Sequence, residues 1–479
     1  MNSQNLYFDF ELTNQQKTAF EKMQNFVRDE EGKVFILNGY AGTGKTTLMS
    51  GLIKWLKEEE IKFSLIASTG RAAKILSDKT QSKARTIHSH IYTFDDLDEN
   101  LENISGLDSN YSVDDKGQVL LLFDLKVIDN KEHSIYIIDE ASMISDAKDK
   151  SSSFAKFGSG ELLSDLFSFD KKGKFIFVGD PCQLPPISQK TSPALSHTYI
   201  ENKFSLSVNS FELKEVMRQS LENGIMQASL KLRNLYNKNP SEKYALFPLK
   251  GHNNISFLGT HANLVNNYTE NVKKNGFQHS TIICQTNRQC SDINKLIRSS
   301  LGKRSHAIGE GDLLLVTQNN YVSDLVNGDI VSVKKLGARE YRCGISFISA
   351  QIEELVSKKV YSLLIVEDIL NSTTTNLNSK QHKALLIDYF NRMKIHGISQ
   401  KDRAFKENML TDPYLNALRA VYGYAITCHK SQGGEWNEIF LYLDNKIHGI
   451  PKPEIYRWLY TAVTRAKVNL YLVDDWFIK

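Results

Sequence analysis

Long apolar runs are missing from this chain. The longest, such as Leu313-Leu314-Leu315-Val316, are a handful of residues, far short of the ~20 that cross a bilayer as a helix. Met1-Asn2-Ser3-Gln4-Asn5 shows no basic stretch followed by an apolar one, so no secretory signal is expected. The five cysteines, Cys182, Cys284, Cys290, Cys343 and Cys428, form no C-x-x-C pair. That argues against a disulfide framework or zinc site and suits a reducing compartment, with a cytoplasmic location and no membrane partner as the expectation. Charge of one sign is also scarce: 59 Lys+Arg against 55 Asp+Glu leave +4. That balance neither requires nor forbids a nucleic-acid partner, because a basic groove can hide inside a near-neutral total. Nor is there an internal repeat or a low-complexity linker. At 479 residues the chain is too long for one core, and roughly two to four domains are expected.

The most telling stretch present is Gly39-Tyr40-Ala41-Gly42-Thr43-Gly44-Lys45-Thr46, which fits G-x-x-x-x-G-K-[ST] without a mismatch. The apolar strand Val34-Phe35-Ile36-Leu37 runs into it, and Leu48, Leu52 and Leu56 follow at helical spacing. In that context the amides from Gly39 and Ala41 through Gly42, Thr43 and Gly44 to Thr46 and Thr47 form a cage for phosphate oxygens at a helix N-terminus. Lys45 is expected to reach the β- and γ-phosphates and Thr46 to hold Mg²⁺, so the chain is expected to bind a nucleoside triphosphate.

Three more short strands, Phe63–Ala67, 135–138 and 175–178, each end in a polar or glycine-bearing turn. Alternation of such runs with helical patterns predicts an α/β core with a parallel sheet, whose functional loops gather at one edge. The strand 135–138 delivers Asp139, suited to a Mg²⁺ shell, and Glu140, suited to deprotonate a water for attack on the γ-phosphate. Gln183 follows in Gly179-Asp180-Pro181-Cys182-Gln183-Leu184-Pro185-Pro186, where nearby prolines would hold its amide to sense a terminal phosphate.

A second core is expected from a strand at 281–284, Asn287 as helix cap, and Ile293, Leu296, Ile297 and Leu301 as the buried stripe that follows. Strands 424–427 and 439–443, a helix over 455–467 and a strand over 468–473 complete it. Between about 306 and 412 the pattern turns β-rich (313–316, 329–333, 361–366, with an Asn327-Gly328 turn), which predicts a small antiparallel barrel inserted in the second core. From Tyr92 to Asp115 there are eight carboxylates and no Lys or Arg. Such a block reads as a solvated insert that should not lie along a phosphate backbone.

The ordered series resembles the motif set of superfamily 1 helicases, in wording nearest the RecD/Dda branch. It comprises Gly39–Thr46, Ser68-Thr69-Gly70-Arg71-Ala72-Ala73, Thr86-Ile87-His88-Ser89, Asp139-Glu140-Ala141-Ser142, the Gln183 segment, Met217-Arg218-Gln219, Thr427 through Glu435, and Tyr460 through Lys467. The resemblance runs from about Leu12 to the C-terminus and implies two RecA-like cores. Core one would be 1–91 with 134–215, interrupted by a pin-like insert at 92–133. Core two would be 216–305 with 413–479, interrupted by the barrel at 306–412. It further implies that Gln16, in Leu12-Thr13-Asn14-Gln15-Gln16, reads the adenine and Glu435 the nucleotide sugar. Arg218 and Arg465 would reach the γ-phosphate from the second core. Thr69, His88, Thr427 and His429 would touch a single strand. Phe94 or Phe123 could form a wedge, while the stretch 380–408 has no counterpart. The implied activity is ATP- and Mg²⁺-dependent 5′→3′ unwinding of DNA by a monomer acting on single strands and duplex junctions. Two alternatives stay open: a translocase that strips proteins with little unwinding, and an RNA-directed motor, since phosphate contacts alone do not read the sugar.

Overall fold

The computed structural model describes residues 7–97, 101, 121–128, 134–148, 155–216, 223–304, 307–320, 322–372 and 374–479. Its first sheet has six parallel strands in the order Ala84–Thr86, Phe63–Ala67, Ile135–Asp139, Lys174–Gly179, Val34–Gly39, Val208–Leu213. The inner strands are near-continuous apolar runs because helices cover both faces. On one face lie Leu48, Leu52, Trp55 and Leu56 with Phe20 and Met23. On the other lie Ile87, Leu163, Leu166 and Ile200. All four strands read from sequence are present. The two edge strands escaped that reading, since Ala84-Arg85-Thr86 has no apolar run and Val208–Leu213 is half exposed.

A second sheet, also parallel, has the order Ile255–Leu258, Ala466–Val473, Trp436–Leu441, Ser280–Cys284, Ala425–Thr427. The helix beside it, Asn287–Ser300, is capped by Thr286 and not by Asn287. Thr286 keeps the extended backbone a cap needs and forms a reciprocal capping box with Gln289, while Asn287 is already helical. Leu296, expected in the buried stripe, is 57% exposed. The buried face is instead Cys290, Ile293, Asn294, Ile297 and Arg298, because two polar residues there find partners. Asn294 bonds the Tyr422 carbonyl and the Ala425 amide, and Arg298 pairs with the buried Asp312 at 3.0 Å. The helix expected over 455–467 spans Glu454–Val463, and the closing strand starts at Ala466.

A third, antiparallel sheet runs Val360–Val366, Ile345–Glu354, Ile330–Arg342, Leu313–Val316, Ala420–Tyr422. Leu418, two residues ahead of the edge strand Ala420–Tyr422, forms an isolated parallel bridge to Ile365 on the other edge. A small fourth sheet joins Tyr92–Leu97, Leu121–Leu125 and Ala155–Phe157. Phe123 is stacked on Phe157 at 4.6 Å between ring centres and is buried, so it is core and not an exposed wedge. Of the acidic stretch, the residues 98–100 and 102–115 lie outside the described residues.

The stretch that had no counterpart forms two helices, Ser379–Ile395 and Arg403–Thr411. They bury Leu386, Tyr389, Phe390, Phe405 and Met409 against Leu97 and Leu101 of the first insert. Lys406 adds an ion pair to Asp96 at 3.0 Å, and Gln400 accepts from the Leu101 amide at 2.8 Å. Among the described residues no helix is long and apolar enough to cross a membrane.

Candidate active site

The loop between Gly39 and the helix Lys45–Glu58 is held by its own atoms. Thr43 Oγ1 donates to the Tyr40 carbonyl at 2.8 Å, and Lys45 Nζ donates to the carbonyls of Gly39 at 2.6 Å and Tyr40 at 3.0 Å. A Cβ on Gly39 would lie 2.8 Å from Thr43 Oγ1. At Gly44, where φ is +86°, it would strike Gln16 Nε2. Among the described residues no side chain caps the helix at Gly44, so its first amides remain available to an anion beside Thr46 and Thr47. Gln16 lies buried beneath this loop. Its Nε2 donates to the Thr43 carbonyl at 3.1 Å and its Oε1 accepts from the Thr13 amide at 3.0 Å.

Asp139 ends the neighbouring strand, and its Oδ1 accepts from the Glu140 amide at 2.9 Å. Glu140 takes a left-handed backbone, φ 51° and ψ 39°, which an L residue adopts only where its surroundings impose it. Burial, and then the Glu140 charge, push the Asp139 carboxyl up to about 7, against the pull of Lys45 and Lys79. Burial raises Glu140 as well, while Arg465 and Lys45 oppose it. Two enclosed carboxyls next to an ammonium fit a divalent cation, and the open amides with Lys45 fit a polyphosphate.

Gln183 lies on the loop that leaves the strand Lys174–Gly179. It is buried, and among the described residues its Oε1 has no partner. Arg465 comes from the other half, and its charge opposes the burial that raises Glu140. Its own bonds are inside its half of the chain: Nε to the Thr461 carbonyl at 3.0 Å, Nη1 to the Gly434 carbonyl at 3.2 Å. Glu435, although burial opposes it, is held below the usual carboxylate range by Lys79, Arg465 and Lys467. Arg218 lies outside the described residues.

The expected strand contacts fall at helix starts. Thr69 caps Gly70–Thr80 by accepting from the Ala72 amide at 3.2 Å, and Thr427 caps Cys428–Ser431 by accepting from Lys430 at 3.4 Å. A Cβ on Gly433, just past the short helix that Thr427 caps, would lie 3.0 Å from Thr69 Oγ1, so the end of that helix meets the Thr69 turn. His429 follows Thr427, and burial lowers its pKa. His88 stands apart, edge-on to Phe157 at 5.1 Å.

Sequence reasoning gave no role to the residues that join the two halves. Tyr460 OH donates to Asp180 at 2.7 Å and accepts from the Ala41 amide at 3.0 Å. Arg457 donates to three carbonyls of the 179–190 loop. Arg71 lies 3.9 Å over the Trp436 ring. The spacing of 457, 460 and 461 on one helix face was the available signal.

Family models match in two places: an AAA domain over residues 11–246 and a UvrD-like helicase C-terminal domain over 422–473. The uncharacterized protein R530 of Acanthamoeba polyphaga mimivirus is 23% identical over 524 residues, covering 96% of this chain and 98% of that protein. The RecBCD enzyme subunit RecD of Buchnera aphidicola is 24% identical, with 93% and 71% covered. The ATP-dependent RecD2 DNA helicase of Deinococcus radiodurans is 21% identical over 92% of this chain, which spans 46% of that longer relative. Helicase and AAA relatives imply that this chain uses a nucleotide.

Proposed function

We propose that this chain, a superfamily 1 helicase of the RecD-like kind, is an ATP-dependent DNA helicase that travels 5′→3′ along a single strand and unwinds duplex ahead of it. One observation carries the reading: the segment of the second half that holds Arg465 is bonded to the first half's site, with Tyr460 OH joining the Ala41 amide of the phosphate loop to Asp180 and the Arg465 charge acting on Glu140. A nucleotide held there is gripped from both sides, so its presence favours the closed arrangement.

In this reading the parallel sheets are the two RecA-like cores, with the boundaries expected from sequence. The Ile365–Leu418 bridge supports taking the antiparallel insert as a barrel. Lys45 and the loop amides from Gly42 to Thr47 bind the phosphates, and Thr46 and Asp139 hold Mg²⁺. Bound Mg²⁺ supplies neutralising charge to the phosphate oxygens. Glu140 accepts the proton of the attacking water. Gln183 senses the terminal phosphate, and Arg218 and Arg465 stabilise the charge that gathers on it, a contribution of about 10³–10⁵ in rate for an arginine finger. Gln16 reads the base after exchanging its bonds to Thr13 and Thr43, and Glu435 meets the sugar. Thr69, Thr427 and His429 line the strand path, with His88 behind them. The protein acts as a monomer.

The experiment is unwinding, with ATP turnover followed in parallel, on one duplex carrying a 5′ or a 3′ single-stranded tail. Opening of the 5′-tailed duplex alone is expected. Preference for the 3′ tail overturns the polarity. Strong turnover with neither duplex opened favours a strand-clearing translocase, and turnover stimulated by RNA alone favours an RNA motor.

A further inference from the structure

The residue that reaches furthest between the two halves has no part in phosphate or strand binding. Arg457 lies on the helix Glu454–Val463 and is 3% exposed. Its Nε donates to the Gln183 carbonyl at 2.7 Å, Nη1 to the Lys190 carbonyl at 2.8 Å and Nη2 to the Pro181 carbonyl at 2.9 Å. All three nitrogens are therefore spent on carbonyls of one loop, and that loop belongs to the other half. Among the described residues Arg457 forms no salt bridge, so these carbonyls carry the cost of burying its charge.

The same helix face adds two further contacts. Tyr460 OH links Asp180 to the Ala41 amide of the phosphate loop, and Thr461 Oγ1 accepts from the Leu184 amide at 3.0 Å. Residues 181, 183, 184 and 190 are thus fixed from outside their own core. Among the described residues Gln183 Oε1 is buried without a partner, so the main chain, and not that oxygen, sets where the side chain points.

We propose that Arg457 is a positioning residue for ATP hydrolysis, setting Gln183 from the second core so that turnover requires the two cores to be docked. The inference rests on the helicase reading above. With the helix withdrawn, three carbonyls lose their donor and the loop loses its single shape. Gln183 then no longer presents its amide to the terminal phosphate.

The test is steady-state ATP turnover of the full chain with saturating oligo-dT, for Arg457→Lys, Gln183→Ala and the double variant. A lysine carries its donors on one nitrogen and cannot reproduce the spread of three guanidinium nitrogens over three carbonyls. Arg457→Lys is expected to lower kcat about tenfold, from hydrogen bonds to a charged group, with KM for ATP changed less than about threefold. In the Gln183→Ala background the same change should cost less than about twofold, since the two residues act through one group. Tyr460→Phe, which keeps the ring and removes only the hydroxyl, should also lower kcat about three- to tenfold. Equal losses in both Gln183 backgrounds, or an unchanged kcat in Arg457→Lys, would overturn the inference. Wild-type chain whose turnover oligo-dT does not stimulate would instead remove the helicase reading beneath it.

Discussion

Replacing Lys74 by methionine removes a charge while keeping most of the side chain's length, and the surroundings of Lys74 set what that costs. Its Nζ lies 2.6 Å from Asp329 and 3.6 Å from Glu354, whose side chains are each 1% exposed. Lys74 comes from the helix Gly70–Thr80, and both acids come from the antiparallel insert. Lys74→Met therefore strands two buried carboxylates. Breaking a buried pair from one side typically costs about 3–5 kcal/mol. The lower half of that range is expected here, because the Val326 amide still serves Asp329 and those of Val356 and Ser357 serve Glu354. Burial raises the Asp329 carboxyl despite Lys74. At Glu354 burial pushes the same way, but Lys74 and Ser357 outweigh it and the net shift is downward. Without Lys74 both folded-state values rise. A raised carboxyl contributes stability at pH below its unfolded value and loses it as pH climbs through the folded one. The penalty should therefore be full near about pH 8 and shrink toward about pH 5. Urea unfolding at both pH values, with amide exchange read over the helix Gly70–Thr80, measures it. A loss under about 1 kcal/mol, or one of equal size at both pH values, would refute the argument.

Glu140→Gln should bind ADP with Mg²⁺ about as wild type yet hydrolyse ATP very slowly, checked by single-turnover kinetics; fast hydrolysis would place the base elsewhere. Arg465→Ala should depress strand-stimulated turnover about 10³-fold or more while leaving nucleotide-free strand affinity nearly unchanged, checked by turnover assays and by fluorescence anisotropy. A large loss of that affinity would put Arg465 in the strand path. Leu386→Ala, at a position 1% exposed between the inserts, should cost about 2–5 kcal/mol locally. It should speed amide exchange over 379–411 and keep strand-free ATP turnover.

The nucleotide half of the site was legible because its chemistry needs contiguous residues. A phosphate cage is a run of amides, so Gly39–Thr46 declared it, and Asp139-Glu140 ended a strand that was apolar throughout. Gln16 was legible as a residue but not in its placement, because its capping box with Thr13 and its bond to Thr43 depend on where the loop packs. The contacts between halves were illegible for a different reason. Arg457 bonds residues more than 260 positions away, and a donor whose acceptors are main-chain carbonyls leaves no trace in their side chains. Leu296 misled because periodicity treats every apolar residue alike, whereas Asn294 and Arg298 won the buried face by finding buried partners. Phe123 misled in the opposite sense: an aromatic in an acidic insert looked free, but a third strand at Ala155–Phe157 brought Phe157 against it.

The helices Ser379–Ile395 and Arg403–Thr411 grow out of the chain between strands of the second half, yet they cover Leu97 and Leu101 of the first. The two halves are consequently fastened at three places: this patch, the grip of Glu454–Val463 on the 179–190 loop, and the ion pairs of Lys74 with Asp329 and Glu354. Two plates joined at one point can roll and tilt freely. Joined at two, they keep a single line to turn about, and a third joint off that line takes away even that. Each opening of the cleft then begins with one of the three joints letting go, and the two that hold set the line of the swing.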